Sequence, residues 1–160
     1  MDLKERAIQL LEDRKKRISD FSKLQPDHPF TIANKHMLEL SEQTSWNATG
    51  ELSMTGFLWW ALNLTADLAF PNYIFFNATG GPGADIAAFT APVTGFFYVD
   101  PSTLNGQQLN FTLQAVAGGL GEVSLDLFDG NWNQSIASLV GVPAGVSLSY
   151  ISGTGSFSYD

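Results

Sequence analysis

From Ser45 to the C-terminus, apolar and polar residues alternate in short runs that Gly, Asn, Asp and Pro punctuate. A period of two sets successive side chains on opposite faces of an extended chain, so this grammar predicts antiparallel strands joined by tight turns. The longest run, residues 57–70, places Leu58, Trp60, Leu62, Leu64, Ala66, Leu68 and Phe70 on one face. Phe57, Trp59, Ala61, Asn63, Thr65 and Asp67 fall on the other. Residues 122–128 set Val123, Leu125 and Leu127 against Ser124, Asp126 and Phe128, and Asp129-Gly130 follows. That dipeptide readily adopts the positive φ angles of a type I′ turn, which predicts residues 131–139 as the return strand.

Further strands are expected over 46–54, 72–78 and 107–116, with short ones at 86–91 and 95–99 around Pro92. A last strand is expected over 146–150 and 156–159, kinked at Gly153-Thr-Gly155. Eight or nine strands hide their edges by closing into a barrel or splitting into a sandwich. Bulky residues at inward positions, including Trp60, Phe70, Phe111 and Leu125, fill a small barrel with side chains rather than leave room for a ligand. The expected fold is mainly β: a closed antiparallel eight- or nine-stranded β-barrel with an N-terminal helical segment.

The chain divides into a helical leader, residues 1–43, and a β-barrel domain, residues 44–160. Residues 2–23 are rich in Leu, Glu, Lys, Arg and Ala and lack Gly and Pro, which predicts a helix. Leu3, Ala7, Leu10 or Leu11, Ile18 and Phe21 trace a loose apolar stripe, interrupted for a full turn by Arg14-Lys15-Lys16-Arg17. Pro26 and Pro29 end that helix, and residues 31–43 read either as a short second helix capped by Thr31, the favoured reading, or as the opening of the sheet over 37–41.

All eight Lys and Arg residues lie at or before Lys35, where eight acidic residues balance them. The formal charge of −8 therefore belongs to residues 44–160, which carry eight acidic residues and no base. Binding to nucleic acid needs cations that displace counterions from phosphate, so nucleic acid is excluded as a partner of the β part. No cysteine is present, which removes disulfides, thiolate metal sites and thiol nucleophiles. The densely charged first thirty residues lack the apolar centre of a signal peptide. The longest apolar run, residues 57–62, is far short of the ~20 residues of a membrane-spanning helix.

The order Gly95-Phe-Phe-Tyr-Val, Leu109-Asn-Phe-Thr, Val123-Ser-Leu-Asp-Leu-Phe-Asp129-Gly130, Gly141, Gly145 and Gly153-Thr-Gly155-Ser-Phe157 resembles the virulence-associated proteins of pathogenic actinobacteria. The resemblance covers residues 80–160, about half the chain. It implies a compact eight-stranded antiparallel barrel to which no enzymatic activity is attached. It further implies secretion and action inside the host phagosome, with membrane association for some members. This chain departs from that pattern in its charged helical leader and in the lack of a signal peptide.

Candidate chemistry is sparse. His28 and His36, eight residues apart, have no third ligand at metal spacing, and residues 126–133 lack the alternate-residue spacing and closing Glu of a calcium loop. No metal and no cofactor are expected. Gly80-Gly-Pro-Gly83 and Gly118-Gly-Leu-Gly121 are followed by no Lys-Ser/Thr, so both read as turns. No Gly-x-Ser-x-Gly elbow occurs, and no catalytic residue is assigned. Asp126 with Glu122 or Asp67 is the pair of carboxylates a glycosidase reading would use.

Trp59, Phe128 and Trp132 fall opposite their strands' main apolar faces and are the candidate binding residues, for a sugar or a partner surface, or else surfaces covered by the leader or a second subunit. Arg14, Lys15, Lys16 and Arg17 are the candidate contact with anionic lipid or with the acidic barrel. The sequence therefore predicts a non-enzymatic protein acting through its surface on a host membrane or protein partner. A carbohydrate-binding module and a carrier of small apolar ligands are the alternatives, and the oligomeric state is left open.

Overall fold

The computed structural model describes residues 2–40, 45–55, 60–68, 73–80, 89–115, 122–142 and 151–159, with side chains over 2–40, 45–52, 91–114, 122–142 and 152–158. Helix α1, Leu3–Leu24, starts where the Asp2 carboxylate accepts a hydrogen bond from the Glu5 amide at 2.8 Å and ends just ahead of Pro26. That is an ordinary N-cap followed by a proline stop. Helix α2, Pro29–Ala33, and a 3-10 turn, Lys35–Glu39, complete the leader. The strands are β1 Trp46–Thr55, β2 Trp60–Leu68, β3 Tyr73–Gly80, β4 Phe89–Phe97, β5 Gln108–Ala115, β6 Val123–Phe128, β7 Ser135–Gly141 and β8 Ile151–Tyr159.

All pairings are antiparallel and follow the order β1-β2-β3-β8-β5-β6-β7-β4, with β4 also along β1. The strands whose side chains are described are six, β8-β5-β6-β7-β4-β1, and they form an open half-barrel around the core. The backbone ladder continues from β1 through β2 and β3 to β8. This corrects the expected closed, eight- or nine-stranded barrel filled on every side: the packed architecture is a six-stranded antiparallel half-barrel with an N-terminal helix. Alternation reports which face of a strand turns inward, but not where a sheet meets itself or how far packing extends. The side chains of Trp60 and of residues 69–70, which were to fill the remaining side, lie outside the described residues.

Two local expectations are corrected as well. Pro92 does not split two strands; Phe89–Phe97 runs through it as one. It can do so because the β7 ladder begins only at Val93, while Pro92 pairs with Glu51 of β1, so its missing N–H costs the sheet little. Asp129-Gly130 does not form a two-residue turn either. A six-residue loop joins β6 to β7, and Asp129 organises it by accepting hydrogen bonds from the amides of Asn133 (2.7 Å) and Gln134 (2.8 Å). The positive φ of this loop falls on Trp132, at 61°.

Inside the half-barrel, Phe97, Leu109, Phe111, Leu113, Val123, Leu125, Leu127, Ala137, Leu139 and Phe157 are buried in one apolar cluster. The Phe97 and Phe157 rings meet edge to face at 5.8 Å. A bulge between Leu127 and Phe128 admits Ile136 to the same core beside Ala137. Gly95 is required where β4 and β7 cross closest: a Cβ there would collide with the Ser138 carbonyl oxygen and lie 2.7 Å from the Leu139 Cα.

Candidate functional site

The outer face of β4, β6 and β7 is not a solvated surface. Helix α1 lies across it, with Ala7, Leu11 and Ile18 packed against Phe96, Tyr98 and Val140. Positions 7, 11, 14 and 18 form one helical stripe, and the third of them is an arginine. Arg14 is therefore turned into the seam, and its Nη2 donates to Asp126 Oδ1 at 2.6 Å. The same oxygen accepts from Ser138 Oγ at 2.5 Å. At the amino end of the seam Arg6 Nε donates to Glu122 Oε2 at 2.7 Å and Arg6 Nη1 to Gln9 Oε1 at 3.0 Å. The strand face beneath is polar and buried: Thr112, Ser124, Asp126 and Ser138 are each less than a tenth exposed. Burying these groups would be costly without partners, and the arginines of α1 supply them.

Tyr98 stands at the back of this seam with its hydroxyl buried and without a hydrogen-bond partner. Burial pushes its pKa up to about 12, against the opposing pull of the nearby Ser138 and Arg14 side chains. Beside the seam a cleft of about 440 Å³ opens between α1 and the sheet, lined by Arg6, Arg14 and Arg17 on one side and Gln114, Ser124 and Ser138 on the other.

The structure brings together two of the three aromatic residues singled out in the sequence. The Phe128 and Trp132 rings lie 5.3 Å apart at an interplanar angle of 41°, and the Arg14 guanidinium sits 5.7 Å from the Phe128 ring centroid, within cation–π range. Carboxylate, guanidinium, phenyl ring and indole thus form a continuous path from the buried Asp126 to Trp132, which is 44% exposed. Trp59 lies outside the described residues. The four basic residues diverge: Arg14 enters the seam, Lys15 is half-buried, and Lys16 and Arg17 are exposed.

The leader is fastened at a second point. Asn34 is buried, and its amide donates to the Asn133 carbonyl at 2.5 Å while its Oδ1 accepts from the Ser135 amide at 2.8 Å. His28 caps α2 by accepting from the Phe30 amide at 3.0 Å. Burial of the His36 ring lowers its pKa. Asp126 and Glu122, the two carboxylates a glycosidase reading would use, are each engaged by an arginine of α1. Among the described residues no three His, Asp or Glu side chains are grouped as a metal site requires, and no helix is long and apolar enough to cross a membrane.

Sequence reasoning did not single out Arg6, Tyr98 or Ser138. For Arg14 the signal was present: it completes the 7-11-14-18 stripe, and a charge in such a stripe demands a buried counter-charge. Nothing local in the sequence marks Asp126 as that counter-charge, because the two are 112 positions apart.

No protein-family model matches the sequence, and no curated protein matches it. Among solved structures, the virulence-associated protein VapB from the intracellular pathogen Rhodococcus equi is similar, with a TM-score of 0.43 and 15% identity over 72% of this chain and 95% of that one. A likeness at that level does not make this chain a member of that family and says nothing of what it does.

Proposed function

We propose that this protein is a non-enzymatic binding module that docks on a partner protein through Trp132 and Phe128. The observation that carries the reading is the backbone of Trp132. A bulky residue at φ 61° occupies a region that Asn or Gly fills at lower cost. Strain of this kind persists where the surroundings fix it, and it gathers at functional positions. Here the Asp129 carboxylate fixes the loop, and the result is a rigid, half-exposed indole of the kind that anchors protein interfaces.

The chemistry of the seam supports the absence of catalysis. Asp126 is engaged by Arg14 and Ser138, and Glu122 by Arg6, so neither carboxylate is free to meet a substrate. The 41° tilt between Phe128 and Trp132 offers no flat platform for a sugar ring, which favours a protein partner over a carbohydrate. The test is capture from a cell lysate with wild-type protein, Trp132→Ala and an exposed control, Gln107→Ala, beside vesicles of neutral and of acidic lipid. A protein retained by wild type and Gln107→Ala but lost with Trp132→Ala is the expected result. Retention unaffected by Trp132→Ala, or binding to vesicles alone, overturns it.

A further inference from the structure

We infer that the cleft between α1 and the outer face of β5, β6 and β7 binds a small oxyanion, a phosphate- or carboxylate-bearing ligand, at Arg17. This site is separate from the Trp132 surface. Its volume of about 440 Å³ lies within the usual range for small-molecule pockets, roughly 300–1,000 Å³. Three arginines, Arg6, Arg14 and Arg17, line it together with Asp13 and Asp126.

Two of the three arginines are already paired. Arg6 is paired with Glu122 and Arg14 with Asp126. Arg17 shares the helix face of Arg6, Leu10, Asp13 and Arg14, lines the same cleft, and has no ion pair or hydrogen bond among the described residues. A free guanidinium presents parallel N–H donors that match a carboxylate or phosphate. Across the cleft, Gln114 and Ser124 add neutral donors. A helix packed merely to cover the strands would close this space with apolar side chains, as it does at Ala7, Leu11 and Ile18. Here it leaves the space open, and Arg6, Gln9, Arg14 and Arg17 line it beside Leu10 and Asp13.

The full chain is titrated calorimetrically with inorganic phosphate, with citrate and with glucose at constant ionic strength. One saturable site for phosphate or for citrate is expected, and none for glucose. Binding of phosphate alone assigns the site to phosphate esters, and binding of citrate alone assigns it to carboxylates. Arg17→Gln removes a charge-assisted contact and should weaken binding about tenfold or more. Lys16→Gln removes the same charge from the neighbouring exposed position and should leave binding unchanged. Both side chains are exposed, so both variants should keep the wild-type melting temperature. The inference is overturned if neither anion gives a saturable signal, if glucose binds equally, or if Arg17→Gln and Lys16→Gln weaken binding alike.

Discussion

Strands β6 and β7 present two faces built on different principles. Their inward residues, Val123, Leu125, Leu127, Ala137 and Leu139, join an apolar cluster that interlocks without hydrogen bonds or charges. Their outward residues, Ser124, Asp126 and Ser138, are almost as deeply buried, yet they are polar and depend on arginines delivered by a helix from the far end of the chain. On such a face a volume-conserving apolar exchange usually costs less than about 1.5 kcal/mol. The outer face is a matched set in which removing one member strands another. Burial alone therefore does not tell a core from a seam; the consequences of single against paired substitution do.

The largest effect belongs to the inner face. Phe111→Ala removes a fully buried ring from the cluster and should cost about 3–5 kcal/mol, read by urea or guanidinium denaturation. A cost near 1 kcal/mol would show that the half-barrel core is loosely packed and that the contrast between the faces is unfounded.

The outer face is probed next. Asp126→Ala leaves Arg14 without its partner in a seam where both side chains retain a little exposure, 15% and 11%. A cost of about 2–3 kcal/mol is expected, reduced from the roughly 3–5 of a fully buried pair by that residual solvent. The double replacement Arg14→Met with Asp126→Leu should recover most of the loss, since an apolar pair of similar volume needs no counter-charge. Losses that simply add in the double variant would mean that the two residues are not coupled, and the seam would then be an ordinary surface.

Titration sharpens the same contrast. Tyr98, with its folded pKa raised from 10.0 to about 12, binds its proton more tightly folded than unfolded. Stability is therefore undiminished below pH 10, falls between pH 10 and 12, and loses roughly 2–3 kcal/mol over that window. His36 has the opposite sign. Its folded pKa is lowered by burial, so its neutral form belongs to the native state, and stability declines as the pH drops below about 6.5. Denaturation midpoints across both ranges check the two slopes, and Tyr98→Phe should abolish the alkaline one.

What was legible in the sequence follows the same division. The alternation of Val123 to Phe128 assigned every one of those side chains to its correct face, because a strand's period depends on local geometry alone. The helix over the first two dozen residues was equally readable from composition and from Pro26. Legibility ended where distant segments meet. A polar outward face on β6 reads as solvated until α1 is laid across it. The residue that gives this away, Arg14, reads as an interruption of the apolar stripe unless its register with Ala7, Leu11 and Ile18 is counted. The β6–β7 loop misled for a related reason. Asp129-Gly130 carries the usual hairpin signal, but the Asp129 carboxylate is spent on two later amides, and the left-handed turn passes to a tryptophan that no propensity would select.

The smallest effect tests that last point. If Trp132 is kept for docking rather than for stability, its replacement should hardly change the fold. Losing its contact with Phe128 costs up to about 1 kcal/mol, while releasing a bulky side chain from φ 61° returns a similar amount. Trp132→Asn is therefore expected within about 1 kcal/mol of wild type by denaturation. Trp132→Ala should be less stable than Trp132→Asn by several tenths of a kcal/mol, because Asn accepts the left-handed region and Ala does not. The Asn–Ala difference isolates the backbone term, since neither side chain reaches Phe128 as the indole does. A Trp132→Asn variant weakened by about 2 kcal/mol or more would make the indole part of the seam's own packing, and the division between a structural outer face and a displayed aromatic beside it would fall.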